Sequence, residues 1–509
     1  MRYLKLASLI FGLTVIMILS AFLFSCNANN PDSNGNNSGN TADNPANNTT
    51  QDNSAETTAE EKITYNVPDI DYGGYNFRVV DRDGVGGIYW VTADQYAEAE
   101  NGDPINDAVY RRNSVLENKF NIKISEIRKA DADLLPFIQK SIQAGSDDFD
   151  VFYTHMQNAG TLVQKALLTN LYDITYFEFD KPWWDISLNK SMTVAKKLYA
   201  AAGAITTTTN DATWCVLFNK DLLQNYAISD PYQLVNDGKW TMDVMYANSK
   251  IATKDLNGDG VITPDDLIGT IGQHECAFCL FAGSGQKIVD KDSEDLPVLS
   301  LNSDRTVNVL AKVVEFMTDK NSFISADDYM GKYKDVWTEI TSNRFSASGS
   351  LYEITNFDMV KTLRNMAANF GILPLPKLDE TQPQYYSTMQ YNNATVMCIP
   401  VSAKDLERTG AILEAWAGES VNTLTKAYYD ITLKGKYSRD DESSQMLDLI
   451  FSTRVMDLGM FFNWSGMQGF FESFVTSKKS LDFVSQYEKN EPKWTKEINK
   501  TIQAIQAGN

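Results

Sequence analysis

The chain has 509 residues, 43% of them hydrophobic and 22% charged, which is ordinary globular composition rather than fibrous or disordered. Asp and Glu number 66 against 45 Lys and Arg, a formal charge of −21, and no basic block offsets it. A nucleic-acid partner therefore lacks its electrostatic footprint, and five cysteines in a chain this long exclude a disulfide-built scaffold.

Residues 1–25 read as an export signal. Arg2 and Lys5 precede an almost wholly apolar run from Leu6 to Phe24, which ends in Leu23-Phe24-Ser25-Cys26. That ending resembles the bacterial lipobox, whose cysteine is lipidated and becomes the mature N-terminus; here the residue is Cys26. Acyl chains on Cys26 would hold the protein to the outer face of the cell membrane. An uncleaved signal anchor is the alternative, because about 18 apolar residues approach spanning length. Removing the signal takes away two positive charges and no negative ones, so the net charge moves from −21 to −23. Residues 26–61 read as a disordered tether. Asn27 to Glu61 is rich in Asn, Ser, Thr, Gly and Asp, has no aromatic residue, and cannot bury enough surface to order itself. As a flexible coil it reaches about 30–35 Å.

The body alternates strand and helix patterns. Tyr75–Asp81 is a strand by alternation, and Ile105, Val109, Arg112 and Leu116 recur at helical spacing after the breaker at 101–104. Phe120–Ile127 is a second strand, Leu134–Ala144 a short helix stopped by Gly145, and Phe149–Thr154 a third strand. This β-α-β-α-β order predicts an α/β fold with a doubly wound sheet, whose ligands sit beyond the carboxyl ends of the strands. Two loops fall there: Arg82–Thr92, with Tyr89 and Trp90, and Thr154–Gln157, with His155. Tyr89 and Trp90 suit stacking on a flat ligand or the core of a hairpin. His155 suits a ligand hydrogen bond or a satisfied structural role.

Further along come Pro182-Trp183-Trp184-Asp185, Lys197 to Gly203, Ala212-Thr213-Trp214 through Lys220, and Asn236 to Thr241. Arg344 to Ile354 and Gly371-Ile-Leu-Pro-Leu-Pro-Lys377 follow. With the lipobox and tether, this series resembles the solute-binding lipoproteins of bacterial ABC importers, of the carbohydrate-binding type. The resemblance implies a two-lobe, type II periplasmic-binding-protein-like fold, with doubly wound sheets joined by a hinge. It places residues 62–175 and 345–400 in lobe 1, and 176–344 and 401–509 in lobe 2. It implies a monomer that closes on a sugar and delivers it to ABC permease subunits, with no catalytic residue. Carried over position by position, it points to Tyr89, Trp90, Asp211, Trp214, Tyr352, Glu353 and Trp464 as ligand contacts.

Asp255-Leu-Asn257-Gly-Asp259-Gly260-Val261 has the spacing of an EF-hand-type calcium loop, with Asp266 in the closing position. It predicts a structural calcium held by Asp255, Asn257, Asp259, the Val261 carbonyl and Asp266; an Asp/Gly-rich turn is the alternative. Cys276 and Cys279 form a lone CxxC, read as two core thiols or one disulfide. The two histidines, 155 and 274, and the absence of nucleophile-elbow, zincin and P-loop motifs argue against an enzyme. Chance carboxylate pairs among 66 acidic residues leave a glycoside hydrolase as the alternative. Trp90, Trp183, Trp184, Trp214, Trp337 and Trp464 have polar neighbours, as sugar-stacking residues do, whereas Trp240 reads as core at the start of its helix.

Overall fold

The computed structural model describes residues 62–83, 94–361, 363, 366–429, 440–476 and 482–507. The signal, Cys26, the tether, Tyr89 and Trp90 lie outside the described residues. Among the described residues no helix is long and apolar enough to cross a membrane.

The chain opens with three parallel strands: β1 (Tyr75–Arg82), β2 (Ile122–Lys129) and β3 (Val151–His155). All three stand within two residues of where alternation put them. The first crossover helix, Pro104–Phe120, starts where its chemistry dictates. Asp103 accepts from the Ile105 and Asn106 amides at 3.0 Å, and Pro104 occupies a position that needs no donor. Asn121 ends the helix at φ 46. Arg112 lies on the buried stripe of this helix, as its spacing predicts, because each of its three guanidinium nitrogens finds a hydrogen-bond partner. It donates to the carbonyls of Asp94 at 2.8 Å and Gln95 at 3.2 Å, and sits 4.5 Å over the Trp416 ring.

Before the second sheet the chain runs through the Pro182–Asp185 turn. Trp183 and Trp184 both donate their indole N–H to Glu414, at 2.8 and 2.9 Å. Their rings are core rather than a ligand platform, since one buried carboxylate takes both polar handles. The second sheet then takes β4 (Trp214–Asn219) and β5 (Ile268–Gly272). A hairpin of β6 (Val289–Lys291) and β7 (Pro297–Leu299) intervenes before β8 (Phe323–Ser325), β9 (Ser350–Asn356) and β10 (Phe370–Leu373). Its order is β10-β4-β9-β5-β8. Only afterwards does β11 (Thr395–Cys398) rejoin the first sheet, antiparallel to β3.

This corrects the expected lobe boundaries. β9 and β10 belong to the second sheet, where β9 lies between β4 and β5 and buries all seven of its residues. A fully apolar or neutralised strand fits a sheet covered on both faces, and sequence alone does not say which sheet. The C-terminal segment is divided as well. The Leu406–Ser420 helix packs on Pro104–Phe120 of the first lobe, whereas Asp441–Ser452 packs on β10 of the second. The core runs continuously between the sheets, with the Phe278 ring 6.1 Å from Tyr391 and 5.6 Å from Phe471.

Candidate functional site

The chain passes from the first sheet to the second at 201–213 and returns at 389–397, and the two passages pair as neighbours. Ala201 bridges Met397 at one end and Thr213 bridges Met389 at the other. The carboxyl ends of β1, β3 and β9 and the loop after β5 reach this seam, the location expected of a ligand in doubly wound sheets.

Gln390 is the hub. Its amide donates to Glu275 Oε2 at 2.9 Å, and its carbonyl oxygen accepts from Asn393 at 2.8 Å and Asn356 at 3.2 Å. These partners come from the loop after β5, the returning passage and the end of β9, so one side chain ties the second sheet to the seam. From the first lobe, Arg82 donates to the Asn393 carbonyl at 3.1 Å, and Gln157 donates to Gln468 at 2.8 Å. Glu275 is buried and its pKa is pushed up to about 8 by that burial, so it carries its proton at neutral pH. The result is a band of amides and one protonated acid, with the Arg82 guanidinium at its first-lobe side.

The predicted site residues fall in three groups. His155 does stand at the end of β3, but as the cap of the helix that follows. Its Nδ1 accepts from the Asn158 amide at 3.2 Å, and burial, with Arg82 nearby, lowers its pKa to about 3. It is a neutral structural acceptor. Asp211 lies on the first passage and is already engaged, accepting from Tyr428 at 2.8 Å and from Lys361. Burial pushes its carboxyl up, and Lys361 pulls it back. Asp211 thus fastens the seam to the second lobe.

Trp214, Tyr352, Glu353 and Trp464 are the third group, and each is at most 1% exposed. Trp214 opens β4 in the interior. Tyr352 accepts from Asn248 at 3.1 Å, with its ring against Trp240. Glu353 accepts from Ser342 at 3.2 Å, and Trp464 stacks on Phe462 at 4.6 Å and donates to Thr501 at 2.8 Å. These four are packing residues, not cleft contacts: central strands and helix junctions cover both of their sides. Gln157 closes a loop the strand-end rule had picked, whereas Gln390, Asn393, Asn356 and Glu275 were the residues that sequence reading passed over. The available signal was positional, since each follows a strand end or precedes β11.

In the 255–266 loop, Asp255 accepts from the Gly258 and Gly260 amides at 2.7 Å, and Asn257 and Asp259 each accept a loop amide at 2.8 Å. Both oxygens of Asp266 are committed, to the Leu256 amide at 3.0 Å and the Thr263 amide at 2.8 Å. Those backbone bonds hold its pKa down. Cys276 and Cys279 are separate buried thiols on one helix.

The profile of bacterial extracellular solute-binding proteins matches residues 115–416, more than half of the chain. Among curated proteins, none matches the sequence. Several solved structures share the fold. A sugar transporter from Rhizobium etli in an open conformation superposes with a TM-score of 0.55 at 12% identity, covering 85% of this chain and 100% of that one. The maltose-binding periplasmic protein of Listeria monocytogenes in complex with maltose gives 0.53 at 14% identity, covering 86% and 99%. An ABC substrate-binding protein from the same organism, in complex with cycloalternan, gives 0.51 at 13% identity, covering 85% and 99%. The two-lobe α/β architecture is shared with all three.

Buried acids make the stability of this fold pH-dependent. Burial pushes Glu275 up to about 8 and Glu353, Glu414 and Asp457 to about 7. Each folded-state pKa lies above the ordinary carboxyl value, so between roughly pH 4.5 and 8 the folded chain binds more protons than the unfolded one. Their contribution is therefore full at low pH and is lost as pH rises through that window. The melting temperature is expected to fall from pH 5 to pH 8. Glu353→Gln should remove about 1–3 kcal/mol of that loss. An unchanged slope in the variant would show that Glu353 is ionised in the folded protein.

Proposed function

Because the chain belongs to the family of bacterial extracellular solute-binding proteins, we propose that it captures a sugar or oligosaccharide between its lobes and passes it unaltered to an ABC permease. The observation that carries the choice of solute is the Gln390 band. Amides and a protonated carboxyl match a neutral solute that is both donor and acceptor at every hydroxyl, and they offer no concentrated charge to an ionised one. Affinity arises when the two lobes meet and these groups exchange water for solute hydroxyls. Sugars found in the fold neighbours from Listeria monocytogenes agree with this reading.

A thermal-shift screen against mono- and oligosaccharides tests it. A ligand at 100 times its Kd adds about 2.7 kcal/mol of stability, a readily measured shift. The sugar recovered after a hit should be chemically intact. A sugar consumed on incubation, or silence across the panel alongside a response to peptides, would sink the proposal.

The lipid anchor is part of the same reading, supported by the apolar run and Cys26. In cells, Cys26→Ala should release the protein from the membrane fraction or leave it unprocessed; membrane retention as a mature-size species would remove the anchor. We also propose a structural Ca2+ in the 255–266 loop. Its support is the Asp-x-Asn-x-Asp-Gly spacing, together with the second lone pair left on each accepting oxygen of Asp255, Asn257 and Asp259. Asp266, committed to loop amides, would close the loop rather than ligate. Chelator should lower the melting temperature, and Asp255→Ala with Asp259→Ala should abolish that response. Equal chelator sensitivity in the double variant would place any calcium elsewhere.

A further inference from the structure

Eight tryptophans are described, and seven of them are at most 3% exposed. Trp337 is the exception at 46%. An isolated exposed apolar residue is unremarkable by itself. Trp337 differs because its ring is fixed in place. The indole N–H donates to Asp327 Oδ1 at 2.8 Å, and the other oxygen of Asp327 accepts from the His274 amide at 2.6 Å. Asp327 stands two residues beyond β8 and His274 two beyond β5, so the ring is anchored to the carboxyl ends of two parallel strands. That is the edge of the second sheet along which the Gln390 band lies. Trp337 also begins a π-helical stretch, Trp337–Ser342, a geometry that recurs at functional sites.

The position has a length attached to it. β8 is two strands outward from β9, the strand that supplies Asn356 to the band. At roughly 4.8 Å per strand that is about 10 Å. A single six-membered ring, built from bonds of about 1.5 Å, does not cover that span from Asn356. A chain of two or more rings does.

We propose that Trp337 is the outer subsite of the cleft, stacking on the C–H face of a sugar ring distal to the one held at Gln390, and that the solute is therefore an oligosaccharide. The proposal rests on the sugar-binding reading above and adds chain length to it. Asp327 is a positioning residue: it touches no ligand and holds the indole edge so that the ring face stays open. Asp328, whose side chain is 35% exposed beside His274, borders the platform and can accept a hydroxyl.

The test is calorimetric titration of the purified protein with gluco-, manno- and xylo-oligosaccharides of one to four units. In the series that binds, Trp337→Ala should lose tenfold or more in affinity for the longer members and little for the shortest member that binds. Trp337→Phe should retain most of the affinity. Asp327→Asn should fall between them and raise the acrylamide accessibility or broaden the fluorescence of Trp337. Unchanged affinity at the short end shows that the variants are folded. An equal loss at every length, or no loss at any, overturns the outer subsite while leaving a sugar-binding protein. No binding of any series by the wild-type protein overturns the sugar reading and this subsite together.

Discussion

Two stretches of backbone must pass between the sheets through an interior that has little water, and every peptide group in them needs a partner. The chain meets that requirement by pairing the passages with each other. Ala201 and Met397 exchange both hydrogen bonds at 3.0 and 2.9 Å, Trp214 donates to Thr388 at 2.9 Å, and Gln390 donates to Ala212 at 2.9 Å. The rest of the site depends on this seam. It fixes Gln390 where three amide and carboxyl partners reach it, and it places Asp211 against Lys361 and Tyr428.

The same interior holds many polar groups whose hydrogen bonds are made within the protein. Glu414 is covered, yet both of its oxygens take an indole N–H; Arg112 is covered, yet its guanidinium serves two carbonyls and an aromatic face. Buried polar groups cost little when their hydrogen bonds are complete. The acids that lack a cation nearby keep their protons instead, as Glu275 does beside Gln390. A chain with a formal charge of −21 can therefore keep an uncharged carboxyl beside Gln390.

How much of this was legible beforehand follows from the range over which each signal acts. The first three strands and the helix at 104–120 were readable because alternation, a Pro at the first turn and an Asp cap all act within a few residues. Residues 345–400 were placed in the first lobe by resemblance, whereas β9 stands in the second sheet, because a strand buried on both faces carries no mark of its neighbours. The tryptophans misled for a related reason. Trp183, Trp184, Trp214 and Trp464 sit among polar residues in the sequence, yet the partners that bury them lie far along the chain, Glu414 and Thr501 among them.

Sequence by itself carried the pattern read as an export signal and tether, the local strand and helix order of the first lobe, and an acidic balance with no basic block. Those features are set by composition and by interactions within one or two turns of chain. Tertiary structure alone decided which strands share a sheet, that Asp211 fastens the seam, and that Trp337 faces outward. Each of those depends on contacts between residues tens to hundreds of positions apart. Whether an indole becomes core or platform is settled by what packs over its ring, and that is a property of the assembled fold.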